Sequence, residues 1–568
     1  MSKFQQGLSR RVNAVRAAFE SKDAFIKAIE TSESAVGRLE ERNPYRNEDL
    51  DISPPAHWTW AWYDYAAFWW AYGFSPGVWS VGSSLISVGL TSWQALICVF
   101  IGYSLGALGV VLHSRSAATY HFGFPVESRI PWGLRAAYFP VLVRVMTATI
   151  WVGISLTQGG YFVAVLLRCI FGHRFSDIPN HIPTSAGITT QQLIGLVIIW
   201  FGSLPLLSVP IPKVRRIFSV KSIILPPVTI GLFAYCMWKG RGKSHEGFTS
   251  TTNMNGSALA WAMLNGVNSV MGKTSTLVVN QPDIARYART RNTPLWSQAL
   301  GLPIGNTACA ALGIYATTAI EAAWGKAYWN PWDLLNEILN RQWNAGTRTW
   351  VAIVNLGFIL SQVAGNLGAN VIPWGADAMT FYPRFLNIER GMYLAYILGV
   401  CIVPWKILKS ASSFLAFLGG YSIFLGPFLG IFITDYFVIR KGNVYVKDLY
   451  ETKGRYWYWH GVSWRAVVAY LFAVVWTLPG FTSVFGNTVP AGWMKLYKLS
   501  WIFTCAVSSV VYFGVCMIGG FAKEDRAMAF EQVYHEGEYL DGREPESEEP
   551  SEIDFVDMSA NTRKGIEK

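Results

Sequence analysis

Charged side chains are scarce in this chain. Asp, Glu, Lys and Arg make up 15% of its 568 residues, where soluble domains carry roughly 25%. Cysteine is sparse too. The seven, Cys98, Cys169, Cys236, Cys309, Cys401, Cys505 and Cys516, lie in or at the ends of apolar stretches without metal-type spacing. That argues against a disulfide framework and leaves them as small buried apolar residues. The eight histidines form no zinc-spaced pair, and there is neither a phosphate-binding lysine loop nor a triad-like arrangement. No enzyme signature, metal site or cofactor site competes for the reading. No cleavable signal peptide is visible, because the first 57 residues hold no apolar core segment.

What is abundant is apolar length. Hydrophobic residues make up 52% of the chain, and tryptophan and tyrosine number 26 each, as expected for aromatic belts at two water–lipid boundaries. A stretch of about 20 apolar residues crosses a bilayer. Twelve such stretches are read near 58–90, 92–112, 135–168, 191–209, 217–238, 257–279, 297–322, 348–373, 390–408, 411–439, 464–486 and 499–521. The third and tenth are long enough to tilt, and Pro479-Gly480 interrupts the eleventh. The expected fold class is therefore an all-α polytopic membrane protein with one transporter-sized domain over 58–522, flanked by tails at 1–57 and 523–568.

The net charge of +11 is not read as a nucleic-acid footprint, because the basic residues sit in the connections. With a cytoplasmic N-terminus, inner loops hold Arg115 and Arg129, then Lys213, Arg215 and Arg216, then Arg286, Arg289 and Arg291, and later Arg440, Lys441, Lys447, Lys453 and Arg455. The positive-inside rule is followed in part, with Lys239, Arg241 and Lys243 as exceptions. Twelve spans bring both termini to the cytoplasm. Ala14 to Leu39 reads as an amphipathic helix on the membrane or the body of the protein, and the acidic run Glu544 to Asp557 as a solvated, disordered tail. The tails are candidate contact points for a ubiquitin ligase or trafficking adaptors.

Two spans look broken. The first carries Gly73-Phe74-Ser75-Pro76-Gly77; proline removes a backbone donor and glycine loosens the helix. The sixth carries Asn265, Asn268, Gly272 and Lys273 where a plain span would be apolar. Offset by five spans, these interruptions occupy equivalent places in two half-repeats, the best sequence pointer to a midplane binding site in a secondary transporter. Polar residues inside spans are costly and functional by default. In span three, Trp151, Ser155 and Gln158 share one helix face, with Arg144 two turns earlier read as an ion pair or gate. An aromatic face beside hydrogen-bonding groups suits a flat heterocycle. In span eight, Asn366 and Asn370 are four apart, with Asp377 beyond Pro373. A carboxamide both donates and accepts, matching the paired edge of a uracil-like ring. Lys273, Asp377, Asn366 and Tyr421 are assigned to proton coupling or gating; Trp151, Ser155, Gln158, Asn370, Ser75 and Gly272 to the substrate.

Several motifs carry a resemblance. Val279-Asn280-Gln281-Pro282-Asp283-Ile284-Ala285-Arg286-Tyr287-Ala288-Arg289 resembles the signature after span six of the first nucleobase:cation symporter family. Asn47-Glu48-Asp49-Leu50-Asp51, Pro54-Pro55 and Trp58-Thr59-Trp60 resemble the entry to span one in its fungal uracil–allantoin–uridine permease branch. Ser361-Gln362, Asn366 and Ala369-Asn370 are similar too, as are Thr434-Asp435-Tyr436-Phe437-Val438-Ile439-Arg440-Lys441 and Gly461-Val462-Ser463-Trp464-Arg465-Ala466; the likeness covers roughly residues 43–520.

The resemblance implies a LeuT-type core of ten helices in a five-plus-five inverted repeat, about 58–238 and 257–439, with two further helices at 464–521. It implies alternating access around a site lined by spans one, three, six, eight and ten. By position, Trp151 matches the family's ring-stacking tryptophan, Asn370 its substrate-binding asparagine, and Lys273 and Asp377 polar positions linked to coupling. Two departures matter. Ser155 stands where the family's glutamine is usual, which leaves Gln158 to compensate and room for a bulkier ligand. Ala364 and Gly365 stand where sodium-coupled members place hydroxyl ligands, so protons rather than sodium are the expected coupling ion. The expectation is a plasma-membrane proton symporter importing a nucleobase, nucleoside or related nitrogen heterocycle, such as uracil, allantoin or uridine. The alternatives are a vitamin transporter of the thiamine or nicotinamide riboside type and a non-transporting ligand sensor. A channel fits broken paired helices poorly.

Overall fold

The computed structural model describes residues 45–47, 49–209, 211–242, 254–518 and 526–535, together with 21, 24, 26 and 30; side chains of 211–215, 534 and 535 lie outside the description. The acidic run Glu544–Asp557 and most of Ala14–Leu39 lie outside the described residues, as do Lys243 and the side chains of Lys213 and Arg215.

Among the described residues the chain is all-helical, without a β-sheet. Its main helices are α1 (Trp62–Gly73), α2 (Pro76–Ser87), α3 (Ser92–Tyr120), α4 (Tyr138–Phe171), α5 (Thr190–Leu207), α6 (Ile211–Lys239), α7 (Gly256–Val279) and α8 (Pro294–Trp324). They continue as α9 (Ala345–Asn366), α10 (Ile372–Ala378), α11 (Ile388–Cys401), α12 (Ala411–Ile433), α13 (Trp464–Val475), α14 (Leu478–Phe481) and α15 (Ser500–Met517). Each of the twelve expected stretches contains helix. Among the described residues, eight helices are long and apolar enough to cross a bilayer, or nine if the pair α13–α14, bent by 50°, is one span. Of the rest, the first stretch is split into α1 and α2, α7 is more polar, and α11 has only 14 residues.

The break between α1 and α2 follows from three residues. Ser75 is extended (φ −149°, ψ 150°) and caps α2, its Oγ accepting from the Val78 amide at 3.4 Å. Pro76 takes the first helical position, where the missing N–H costs nothing. Gly73 sits against α8, where a Cβ would lie 2.7 Å from the Gly305 carbonyl carbon. The sixth span is different: α7 runs unbroken from Gly256 to Val279. It contains no proline, and neighbouring groups satisfy its polar side chains. Asn268 donates to Ser500 Oγ at 3.2 Å and accepts from the Trp501 amide at 2.9 Å. The expected pair of broken helices is thus one broken and one continuous helix.

The helices sort into two groups of packed spans. α1, α2 and α3 lie around α8, with α7 packed on α3; α5, α9–α10 and α11 pack around α4. α6 bridges α8 and α9, and α12 packs on α7 with α13 and α15 outside it. Burial follows this plan. The apolar stretch over Ala411–Ile439 is 78% buried and that of α4 67%, whereas that of α6 is 22% and that of α5 28%. Exposed Ile223, Phe201 and Leu471 form the apolar exterior such a bundle offers to lipid.

One end of the bundle is capped by chain. Residues of the N-terminal tail and of the entry to span one are packed here: Asn47, Leu50 and Ser53 are buried, and Trp58 stacks on His121 at 3.7 Å. Arg286 donates to Ser53 Oγ at 2.5 Å, and Tyr450 to the Leu50 carbonyl at 3.0 Å. The start of the expected C-terminal tail is packed as well. Glu531 is buried and accepts from Arg115 at 2.8 Å, Arg291 at 2.7 Å and Tyr436 at 2.8 Å, while Val533 is fully buried. Within the expected disordered, solvated C-terminal tail, residues 526–535 are thus packed through Glu531 and Val533.

Candidate functional site

A cavity opens where the two groups meet, at the level of the α1–α2 break. Six elements build it. Ser75 and Gly77 come from the break, Tyr72 from the end of α1, Trp151, Ser155 and Gln158 from α4, Lys221 from α6, and Lys273 and Thr276 from α7. Ser361, Gln362, Gly365, Ala369 and Asn370 come from α9 and the turn after it.

That turn is a consequence of sequence. Pro373 has no N–H to give the Ala369 carbonyl. The helix widens into a π-turn over Leu367–Val371 before α10 resumes. Such bulges recur at functional sites. The widened turn places Asn370 at the cavity and Asn366 behind it: Asn370 Nδ2 donates to Asn366 Oδ1 at 3.0 Å and to Ser155 Oγ at 3.3 Å, and Asn366 Nδ2 donates to the Val152 carbonyl at 3.4 Å. Gly368 makes the close packing possible, since any side chain there would overlap the Phe218 ring.

A second amide pair lies one turn along α4. Gln362 Nε2 donates to Gln158 Oε1 at 2.6 Å, which leaves Gln158 Nε2 buried without a partner. Asn370 spends its NH2 on Ser155 and Asn366, which leaves its Oδ1 as an acceptor. The cavity wall thus offers one amide acceptor and one amide donor, the complement of a ring edge with adjacent N–H and C=O groups. The aromatic surface is Trp151, 4% exposed, whose indole N–H donates to Tyr421 Oη at 3.3 Å. Tyr421 in turn donates to the Gly272 carbonyl. Phe417 meets Trp151 edge-on at 5.9 Å. Lys273 Nζ stands 4.0 Å over the Trp151 ring and donates to Tyr72 Oη at 3.2 Å.

Of the residues assigned from sequence, Trp151, Ser155, Gln158, Asn370, Ser75 and Lys273 line this one cavity. Gly272, Tyr421, Asn366 and Asp377 do not. Gly272 is pressed against α12, where a Cβ would collide with the Leu418 carbonyl. Tyr421 and Asn366 buttress Trp151 and Asn370 from behind. Asp377 is ion-paired with Arg144, both fully buried between the cavity and the capped end. Sequence reasoning missed Tyr72 and Lys221. A lysine inside the fifth apolar stretch was the available signal for Lys221, but it lay next to the basic cluster of Lys213, Arg215 and Arg216.

Toward the capped end the ionisable groups are matched. Asp283 accepts from the Phe124 amide at 2.8 Å and feels the charges of Arg144, Arg286 and Glu127. Glu127 lies 3.3 Å from His113 and accepts from Ser116. Burial, together with the Arg286 charge, holds the His121 imidazole down at about 4, so it stays neutral under the stacked Trp58.

Comparison with known proteins gives a consistent picture. Residues 53–503 match the model of a family described as permease for cytosine/purines, uracil, thiamine, allantoin. The chain is 34% identical over 478 residues to the uracil permease of Saccharomyces cerevisiae, covering 83% of this chain and 75% of that protein. It is 33% identical to the allantoin permease of the same yeast, with the same coverage. Among solved structures it is similar to Mhp1, a nucleobase-cation-symport-1 family transporter, closed with bromovinylhydantoin bound. The TM-score is 0.66 at 19% identity over 85% of this chain and 99% of that one, a likeness of fold.

Proposed function

The chain belongs to the family of permeases for cytosine/purines, uracil, thiamine and allantoin, the nucleobase:cation symporter-1 family, and from that premise we propose that it is a proton symporter importing an oxo-substituted nitrogen heterocycle by alternating access. It is a membrane-spanning transporter and not an enzyme. The proposed frame is twelve spans over 58–522: a five-plus-five inverted repeat, 58–238 and 257–439, with two added helices. It sits in the plasma membrane with both tails cytoplasmic, which puts the capped end on the cytoplasmic side.

The observation that carries the reading is the wall on which Trp151 lies beside the Ser155–Asn370 and Gln158–Gln362 pairs. A flat ring stacks on Trp151, gives an N–H to Asn370 Oδ1 and receives one from Gln158 Nε2. Gln158 thereby supplies one half of the two-point contact that Ser155 is too short to make, and Asn370 the other. Ser75 supplies a further polar group at the α1–α2 break. Lys273 is placed to couple the proton to this event. Its ammonium covers the Trp151 face on which the ring stacks, so the ring displaces it or shares the face with it. Arg144–Asp377 is the gate between cavity and cytoplasm, and it must separate for substrate to leave. Gly272, Tyr421 and Asn366 act by holding Trp151 and Asn370 in place.

The test is uptake in a permease-null yeast strain at pH about 5 and about 7, a range that brackets the response of a proton-coupled carrier. Labelled uracil, uridine, allantoin, thiamine and nicotinamide riboside are compared, with and without sodium. The expected result is uptake of an oxo-heterocycle, stronger at acid pH and insensitive to sodium. Trp151→Ala abolishes it at normal surface level, and Lys273→Ala removes the pH dependence. Uptake that persists unchanged in Trp151→Ala contradicts the stacking site.

A further inference from the structure

The cavity has an imbalance of charge that the uptake of a neutral ring does not explain. Two lysines line it, and no Asp or Glu among the described residues does. Lys221 is the less expected of the two. Helix α6 is the most lipid-exposed of the long spans, yet Lys221 itself is only 1% exposed because it turns inward. Its Nζ lies beside Gly365, 3.4 Å from where a Cβ would stand. Lys273 is accommodated in the same way: its Nζ is 3.8 Å from the Cβ position of Gly77. Glycine at 77 and 365 thus leaves room for an ammonium group at each side of the cavity. Lys273 feels the charge of Lys221, and Lys221 lies within reach of the Cys309 thiol; no carboxylate among the described residues acts on either amine. Lys273 donates to the Tyr72 hydroxyl and lies over the Trp151 face.

Of three buried arginines toward the capped end, Arg129 donates to the Leu449 and Tyr45 carbonyls, and the other two are matched with acids. Arg144 is paired with Asp377 and Arg440 with Asp435 at 2.9 Å. Buried charge is ordinarily kept only when paired. A cavity that keeps two amines and no acid is therefore complementary to a ligand that brings the negative charge itself, through charge-assisted hydrogen bonds.

We infer that the preferred substrate is an anionic oxo-heterocycle, a flat ring bearing a carboxylate or an ionised ring N–H, with its charge held between Lys221 and Lys273. The same pair of cations rejects cationic rings of the thiamine or nicotinamide riboside type. The inference rests on the cavity being the transport site proposed above. Trp151 and the two amide pairs then read the ring and its edge, while the lysines read its charge.

Orotate and uracil make the direct test, because they share one ring and differ by a carboxylate. Binding of each to the purified full-length chain at pH about 7 is measured by competition and by thermal stabilisation, alongside thiamine and nicotinamide riboside. Orotate is expected to bind at least tenfold more tightly than uracil, and the two cations to bind more weakly than uracil. In Lys221→Met and Lys221→Gln the orotate-to-uracil preference is expected to fall at least tenfold, and Lys221→Arg to restore it. The wild-type panel stands on its own should a variant fold poorly. Uracil binding as tightly as orotate, a cation binding best, or a preference untouched in folded Lys221→Met would each overturn the inference while leaving a heterocycle site in place. Binding of none of the four by folded protein would overturn the transport-site reading and this inference together.

Discussion

Two buried polar regions lie within about two helical turns of each other along α4, and they treat charge in opposite ways. Toward the capped end, Arg144 meets Asp377, and Asp283, Glu127, Arg286 and His113 are held in a network of opposite signs. In the cavity, Lys273 meets the Tyr72 hydroxyl and the Trp151 ring, and no Asp or Glu among the described residues lines the space it shares with Lys221. The first arrangement pairs its charges within the chain. The second is complete only when something else is bound. A transporter needs both: a closed side that holds until the site is filled, and a site whose filling changes the local electrostatics.

The largest effect is expected where pairing is tightest. Asp377→Asn leaves Arg144 buried without its counter-charge, and breaking a buried pair in this way costs about 3–5 kcal/mol. Thermal unfolding of the detergent-solubilised protein should drop accordingly, and Arg144→Met combined with Asp377→Leu should recover most of the loss. A stable Asp377→Asn would erase the contrast between the two regions. The second test imports pairing into the cavity. Gln362→Glu places a carboxylate beside Gln158 in the lysine-lined space. It should stabilise the free protein by up to about 1.5–3 kcal/mol, the range for hydrogen bonds to charged groups, while ligand binding falls. Higher stability with unchanged binding would contradict the idea that the ligand supplies the missing charge.

Much of this was legible in sequence because it rests on local chemistry. Ser75-Pro76 announces a cap and a helix start, and the structure breaks there. Trp151, Ser155 and Gln158 share a face by helical spacing alone, and they line one cavity. The unbroken α7 was not legible, since polar side chains do not interrupt a helix when other helices satisfy them, as Ser500 and Trp501 satisfy Asn268. Nor was the partner of Asp377, because ion pairing across 233 positions depends on packing rather than spacing. Lys221 needed the structure for a similar reason: only the rotation of α6 tells an inward lysine from one that reaches for the membrane surface.

Smaller effects sharpen the contrast at its edges. Gly272→Ala pushes a methyl into the Leu418 carbonyl and disturbs the contact that anchors Tyr421 behind Trp151. Overpacking of this kind costs about 1–3 kcal/mol. Gly231→Ala, with open space around it, is the control and should be neutral or slightly stabilising in the same melting assay. The smallest effect concerns His121. Its folded value of about 4 lies below the ordinary 6.5, because burial disfavours the imidazolium. The unfolded chain therefore takes up the proton first. Stability is full above pH about 6.5 and falls as pH drops toward about 4. His121→Gln should flatten that part of the pH–stability curve; an unchanged slope would place the acid sensitivity elsewhere.

The most direct single measurement is a structure of the full-length chain with its transported heterocycle bound. The expected result is a flat ring against Trp151, with its edge within hydrogen-bond reach of Asn370 and Gln158 and the Arg144–Asp377 pair still closed beneath it. A ring bound away from Trp151, or one that leaves both amide pairs as they stand in the free protein, would contradict the site described above.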